Sequence, residues 1–319
     1  MKKLITLLLA LVLVLGTTVG CGKKEETPNT EVPNDGAKKV EIGVSIANFD
    51  DTFLTNVMDG MKAIAAENPN INLEFVDAKE DMGKQMDQVE NFAIQQKDAI
   101  IVVPVDTSAA GPLTSAAVDA GIPIVYVNRN PGNLPQGAYY VGSDSIVAGR
   151  LQMEFLAEKL GGEGNYAILM GKLDNEASLQ RTAGNKEINE QFPGIKLLDE
   201  QTGQWQRTEG MRITEDWVNK FGDDLNAILA NNDDMGLGAI QALKDSGRTD
   251  VIVLGVDATA DAVAAVEAGD MAATVFQNAK GQGGGAIDAA FKAATGVAVD
   301  QEVWIPYELI TPENIGDYK

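Results

Sequence analysis

Short apolar runs alternate along nearly the whole chain with longer stretches in which apolar side chains recur every third or fourth position. The short runs are rich in Val and Ile. They predict strands over 40–47, 71–76, 99–103 and 123–127, and in the second half over 166–170, 195–198, 227–230, 251–254 and 273–276. Between them, Phe53, Val57, Met61 and Ile64 stack on one face of a helix. The same period runs through 82–96, 146–160, 175–191, 233–246 and 281–295, and Trp217 falls inside a further helical pattern as a core residue. Strand–helix–strand alternation with such strands predicts an α/β fold of doubly wound parallel sheets, covered by helices on both faces. A body of roughly 280 residues exceeds one comfortable core, so two lobes of four or five strands each are expected.

The N-terminal pattern is different. Met1-Lys2-Lys3 precedes an unbroken apolar run from Leu4 to Leu15, then small residues lead to Cys21. A basic start, a short apolar core and a small-residue exit describe a secretory signal over 1–20, too short to span a bilayer. Cys21 is the single cysteine of the chain, which excludes an internal disulfide. The stretch resembles a lipobox, with Thr18 where leucine is usual, and the resemblance implies lipidation of Cys21 and a membrane anchor. Residues 21–38 are polar, charged and proline-bearing, a flexible tether that could reach on the order of 55 Å.

Charge narrows the partners. The formal net charge is -22, and loss of Lys2 and Lys3 with the signal makes the rest more negative still. Such a surface repels nucleic acid and anionic lipid, and favours a soluble body with a neutral ligand. The chain has no histidine, hence neither the commonest general base nor the commonest metal ligand. No G-x-x-x-x-G-K-[ST] or strand-linked G-x-G-x-x-G occurs, and the pairs Asp50-Asp51, Asp223-Asp224 and Asp233-Asp234 lack calcium-loop spacing. Neither a cofactor, a metal nor an enzymatic activity is expected.

In open parallel sheets ligands bind beyond the carboxyl ends of the strands. Those ends lead into Asp51 and Phe53, into Asn128-Arg129, and in the second half into Asn175, Trp205, Asn232, Asp257 and Gln277. A sugar hydroxyl both donates and accepts, so it suits a carboxylate on one side and an amide or guanidinium on the other. The C–H faces of the ring lie well on aromatic rings. Each residue also has a plainer reading: Asp51, Asn232 and Asp257 could cap helices, Phe53 could be core, and Arg181 could be a surface charge.

The segments IGVSIANFDDTFLTNVMDG, AYYVGSDS, ANNDDMGLGAIQALK and LGVDATADAVAAVEAGDMAATVFQNA, in this order, resemble the type I periplasmic binding proteins. The likeness is to the glucose/galactose-binding proteins of ABC importers, with ribose-binding proteins as relatives, and it covers about Val40 to Val303. It implies one lobe from 39–141 plus 278–304 and another from 142–277 plus 305–319, joined by three crossovers. It implies a monomer that closes on a monosaccharide, glucose or galactose, and docks on a permease with its ATPase. It assigns hydroxyl binding to Asp51, Arg181, Asn232 and Asp257, and places Phe53 and Trp205 on opposite sugar faces. Gln277 matches the glutamine of ribose-binding members and Arg129 a ribose-type arginine, while Asn175 stands for a histidine and Val103 for a binding asparagine. Ribose, xylose, or a sensory role beside a receptor are the alternatives it leaves.

Overall fold

The computed structural model describes residues 39–318. The predicted signal, Cys21 and the tether lie outside the described residues. Two six-stranded sheets organise the body. The first contains β1 (Val40–Ile46), β2 (Ile71–Asp77), β3 (Ala99–Val102), β4 (Ile124–Val127), β5 (Ala138–Gly142) and β11 (Glu302–Trp304), in the order β11-β5-β4-β3-β1-β2. The second contains β6 (Gly164–Met170), β7 (Ile195–Thr202), β8 (Ala227–Ala230), β9 (Ile252–Asp257), β10 (Ala273–Gln277) and β12 (Tyr307–Ile310), in the order β12-β10-β9-β8-β6-β7. Every residue of β3, β4 and β8 is buried, which is why these segments read as unbroken apolar runs without alternation.

Three strands were absent from the sequence expectation, and one departs from the all-parallel pattern. β5 (Ala138–Gly142) is a short apolar run that was passed over, directly after Pro135-Gln136-Gly137, while β11 and β12 are only three and four residues long and make no apolar run. β12 pairs antiparallel with β10 at the edge of the second sheet. The chain passes between the sheets after β5, after β10 and between β11 and β12.

Helices cover both faces of each sheet. In the first lobe these are α1 (Thr52–Glu67), α2 (Met82–Ile94), α3 (Gly111–Val118) and α9 (Ala279–Ala294), and α1 packs on α9. The glycine-rich start of α9 lets that helix approach on two sides: a Cβ at Gly283 would lie 2.1 Å from Val57 O of α1, and one at Gly285 would lie 3.0 Å from Val141 Cγ1 of β5. The second lobe carries α4 (Ser145–Leu160), α5 (Glu176–Asn189), α6 (Arg207–Phe221), α7 (Asp233–Asp245) and α8 (Ala260–Ala268). Trp217 on α6 is fully buried, and its indole N–H donates to Asp199 Oδ2 at 3.0 Å.

In both sheets the order reverses beside the first strand of the lobe, β1 or β6. The crevice such a reversal opens lies at the carboxyl ends of the strands. Those ends of the two lobes face each other.

Candidate functional site

A cavity enclosing about 360 Å³ of empty space lies between the lobes. All ten residues singled out as candidate ligand contacts line it: Asp51, Phe53, Asn128 and Arg129 from the first lobe, and Asn175, Arg181, Trp205, Asn232, Asp257 and Gln277 from the second. Leu54 and Ala177 complete the wall.

Local structure fixes each side chain. Asp51 caps α1, its Oδ1 accepting from Leu54 N at 2.9 Å, and Phe53 and Leu54 follow in the first turn. Asn175 caps α5 through Ala177 N at 3.1 Å, and Asn232 caps α7 through Met235 N at 3.1 Å. The capping reading is therefore true of Asp51 and Asn232 but not of Asp257, since Thr259 caps α8 by accepting from Ala262 N at 3.4 Å; Asn175 is a further cap, and Asp51, Asn175 and Asn232 all face the cavity. One carboxylate or amide oxygen holds the helix end and leaves the other polar atom for a second partner. Asn128 (φ 69), Trp205 (φ 67) and Asp257 (φ 124) hold left-handed backbone that costs free energy in a residue with a Cβ. The six-membered ring of Trp205 lies against the backbone of Gly171, where an added Cβ would be 2.1 Å away, so Gly171 is what allows the indole its place.

Arg181 is the best-anchored group. It is 4% exposed; its Nη1 donates to Asn231 O, and its Nη2 donates to Gln277 Oε1 at 2.7 Å and to Tyr307 Oη at 3.1 Å. The guanidinium also stands 5.7 Å from the Trp205 ring and 5.9 Å from the Tyr307 ring. Arg181 Nη1 lies 3.8 Å from Asp257 Oδ1, close enough for charge attraction and too far for a hydrogen bond. Burial drives the Asp257 carboxyl well above its usual range, with Arg181 pulling the other way. Asp51 is likewise raised by burial and held back by Arg129. Two carboxylates facing two guanidiniums leave the cavity close to neutral, fit for an uncharged guest rich in hydroxyls.

Arg129, 3% exposed, donates from Nη1 to Pro104 O at 3.0 Å, and its Nη2 lies 3.9 Å from Glu80 Oε1. The other oxygen of Glu80 accepts from Lys172 Nζ at 2.7 Å, across the cleft. Further bonds cross between the lobes: Thr52 Oγ1 donates to Asp234 Oδ2 at 3.1 Å, and Thr107 N and Thr107 Oγ1 each donate to Asp174 O at 3.2 Å. The lobes are therefore in contact around the cavity, and Thr107 Oγ1 accepts from Glu176 N at 3.1 Å. Burial carries the Glu176 carboxyl up to about 7 in spite of Arg181.

Sequence reasoning passed over Leu54 and Ala177 because each reads as part of an apolar helix face. Tyr307, which holds Arg181, sits in the short β12 that gave no strand signal. Val103 is fully buried in the first-lobe core, away from the cavity lining.

The periplasmic binding protein domain profile matches residues 42–298. A crystal structure of an ABC transporter solute binding protein from Bacillus halodurans with bound myo-inositol superposes with a TM-score of 0.84 at 47% identity, covering 88% of this chain and 97% of that one. A Rhizobium meliloti protein named as a candidate rhizopine-binding protein is 43% identical over 87% of this chain and 92% of its own length. The ribose import binding protein of Bacillus subtilis is 30% identical over 98% of this chain and 99% of its own. The chain belongs to the type I periplasmic binding protein family, among the sugar-binding solute-binding proteins of ABC transporters. Its relatives are extracytoplasmic transport components, and those just described are named for rhizopine, ribose and myo-inositol.

Proposed function

We propose that this protein captures one small cyclic polyol, a monosaccharide or a cyclitol such as myo-inositol, between its lobes and presents the closed complex to an ABC permease and its ATPase. The observation that carries this reading is the cleft between the lobes, lined from both by Phe53 and Trp205 together with carboxylates, amides and guanidiniums. Asp51 and Asp257 would accept from ring hydroxyls, Arg129 and Arg181 would donate to them, and Asn128, Asn175, Asn232 and Gln277 would do either. Phe53 and Trp205 would lie on the two C–H faces of the ring. A ligand touching both lobes binds the closed arrangement better than an open one, and that difference drives closure. The protein would act as a monomer, held at the outer membrane face by lipid on Cys21.

The sequence likeness points to glucose or galactose. The relatives at 43% and 47% identity are named for rhizopine and hold myo-inositol, so myo-inositol leads our ranking, ahead of both hexoses and of ribose. A thermal-shift panel of inositols, hexoses and pentoses tests this. A ligand at 100 times its Kd adds about 2.7 kcal/mol, enough to raise Tm by about 5 °C. A panel with no stabilising member would overturn the reading, and cleavage of a glycoside by the protein would replace it with an enzymatic one. Incorporation of labelled fatty acid, lost in Cys21→Ala, tests the anchor.

A further inference from the structure

Behind the cavity lies a buried carboxylate that touches none of it. Asp233 is the first residue of α7, directly after the cavity-lining Asn232, and is fully buried. Its Oδ2 accepts from Thr259 N at 2.8 Å, and its Oδ1 accepts from Thr274 Oγ1 at 2.6 Å. Thr274 Oγ1 in turn accepts from Ala258 N at 3.3 Å. One carboxylate thus gathers three consecutive strand ends, and each carries a cavity residue: Asn232 after β8, Asp257 at the end of β9, and Gln277 three residues beyond Thr274 on β10. Room for it is provided by Gly255, where a Cβ would stand 2.2 Å from Asp233 Oδ1.

The backbone it holds is strained. Asp257 has φ 124 and Ala258 φ 57, consecutive residues in a region that side-chain-bearing residues avoid. Strain of this kind persists only where surrounding contacts over-determine it. Here those contacts are the amides of Ala258 and Thr259, both secured through the Asp233–Thr274 pair. We infer that Asp233 is a positioning residue for Asp257: it clamps the 257–259 turn so that the Asp257 carboxylate points into the cavity at a fixed place relative to Asn232 and Gln277. The inference rests on the reading of Asp257 as a ligand-binding group.

Two measurements test it separately from that reading. Amide hydrogen exchange in the ligand-free protein reports the clamp directly. Thr259 N–H and Ala258 N–H are expected to be protected in the wild type, to exchange at least about tenfold faster in Asp233→Asn and Thr274→Val, and to keep their protection in Thr274→Ser, which retains the hydroxyl. Unchanged exchange in Thr274→Val overturns the inference. Thr274→Val removes one hydroxyl at constant shape, so it stands in if Asp233→Asn does not fold. Calorimetric titration with myo-inositol, D-ribose, D-glucose and D-galactose gives the second arm. Thr274→Val should weaken the bound member by about tenfold or more, Thr274→Ser should restore it, and Thr274→Val should add little once Asp257→Asn is present. Equal losses with and without Asp257→Asn would make the pair a general support of the fold and sink the positioning role. Full binding by Asp257→Asn alone would instead overturn the functional reading, and the exchange rates would still judge the clamp.

Discussion

The two lobes share a topology but not a share of the cavity. The first brings Asp51, Phe53, Leu54, Asn128 and Arg129; the second brings seven residues, among them both members of the Arg181–Asp257 pair. In the second lobe the polar groups are tied to one another. Arg181 is held by Asn231, Gln277 and Tyr307, and Asn232 Nδ2 donates to Trp205 O at 3.2 Å. In the first lobe Arg129 donates to Pro104 O and Asn128 Nδ2 donates to Gln282 Oε1, but Arg129 is not bonded to Asp51, and the Glu80 beside it reaches across to Lys172 of the second. The difference teaches that one half is a preassembled receptor surface and the other a cover whose polar groups are positioned partly by closure itself. A preassembled surface loses little conformational freedom on binding, so it should carry most of the affinity.

The sharpest way to break that asymmetry is at Arg181. Arg181→Leu leaves Asp257 buried beside no counter-charge and frees Gln277 and Tyr307 from their partner. Removing one member of a buried pair costs about 3–5 kcal/mol of stability, and binding of the panel ligand should fall below detection. Denaturant unfolding and calorimetry on the same sample read both effects. The matching change in the cover, Arg129→Leu, should weaken binding less, because Asp51 keeps its Leu54 N–H bond. Equal losses from the two substitutions would contradict the division of labour.

Next in size is the aromatic pair. Trp205→Ala removes an indole that is positioned by its own left-handed backbone and by the space above Gly171, and should weaken binding by about 2–3 kcal/mol. Gly171→Ala tests the same face without touching the tryptophan: the new methyl cannot coexist with the indole, so a comparable loss is expected. Phe53→Ala should also weaken binding, but with a larger drop in ligand-free Tm, since Phe53 is part of the first-lobe core. Intrinsic fluorescence of the Gly171→Ala protein should report the displaced indole.

How much of this was legible in the chain depends on what kind of signal each part leaves. Central strands such as Ala99–Val102 and Ala227–Ala230 are buried on both faces and so write themselves as apolar runs. The two lobes and the strand ends followed from those runs, and the residues at those ends proved to share one cavity. The edge strands β2 and β7 were legible, but β11 and β12 at the opposite edges were not: they borrow their order from β5 and β10, and three or four residues leave no period to read. Nor was the supporting layer. Tyr307 lies 126 positions from the Arg181 it holds, and Asp233 read as half of an acidic pair without a partner in sequence. Contacts between distant segments that bury polar groups have no local pattern to announce them.

pH should sharpen the comparison, because the raised carboxyls belong mostly to the second lobe. Burial lifts Asp257 well above the usual range and carries Asp233 and Glu176 to about 7, while Asp51 is the raised group of the first lobe. Each group keeps its proton in the folded chain after the unfolded chain has lost it. The folded state therefore binds more protons, and its stability should fall as pH rises from about 4 to about 7. Ligand hydroxyls donating to Asp257 favour its ionised form, so binding should release protons and tighten as pH rises. Calorimetry of the panel ligand in two buffers of different ionisation enthalpy measures the release. Proton uptake would reverse the sign and remove Asp257 as the acceptor.

The smallest effect expected is at the seam between the lobes. Lys172 Nζ meets Glu80 Oε2 at 2.7 Å with both side chains about one-fifth exposed, and the pair exists only while the lobes touch. A partly exposed ion pair is worth about 0.2–1 kcal/mol, so Lys172→Met should lower affinity by no more than about fivefold. Because the contact stabilises the closed form and not the approach of the ligand, the loss should sit in faster dissociation with an unchanged association rate. The ligand-free Tm should not move, since an open protein has no such contact to lose. Stopped-flow fluorescence of Trp205 follows both rates. If Lys172→Met slowed association instead, the lysine would be steering the ligand into the cleft, and the cover would contribute to capture as well as to retention.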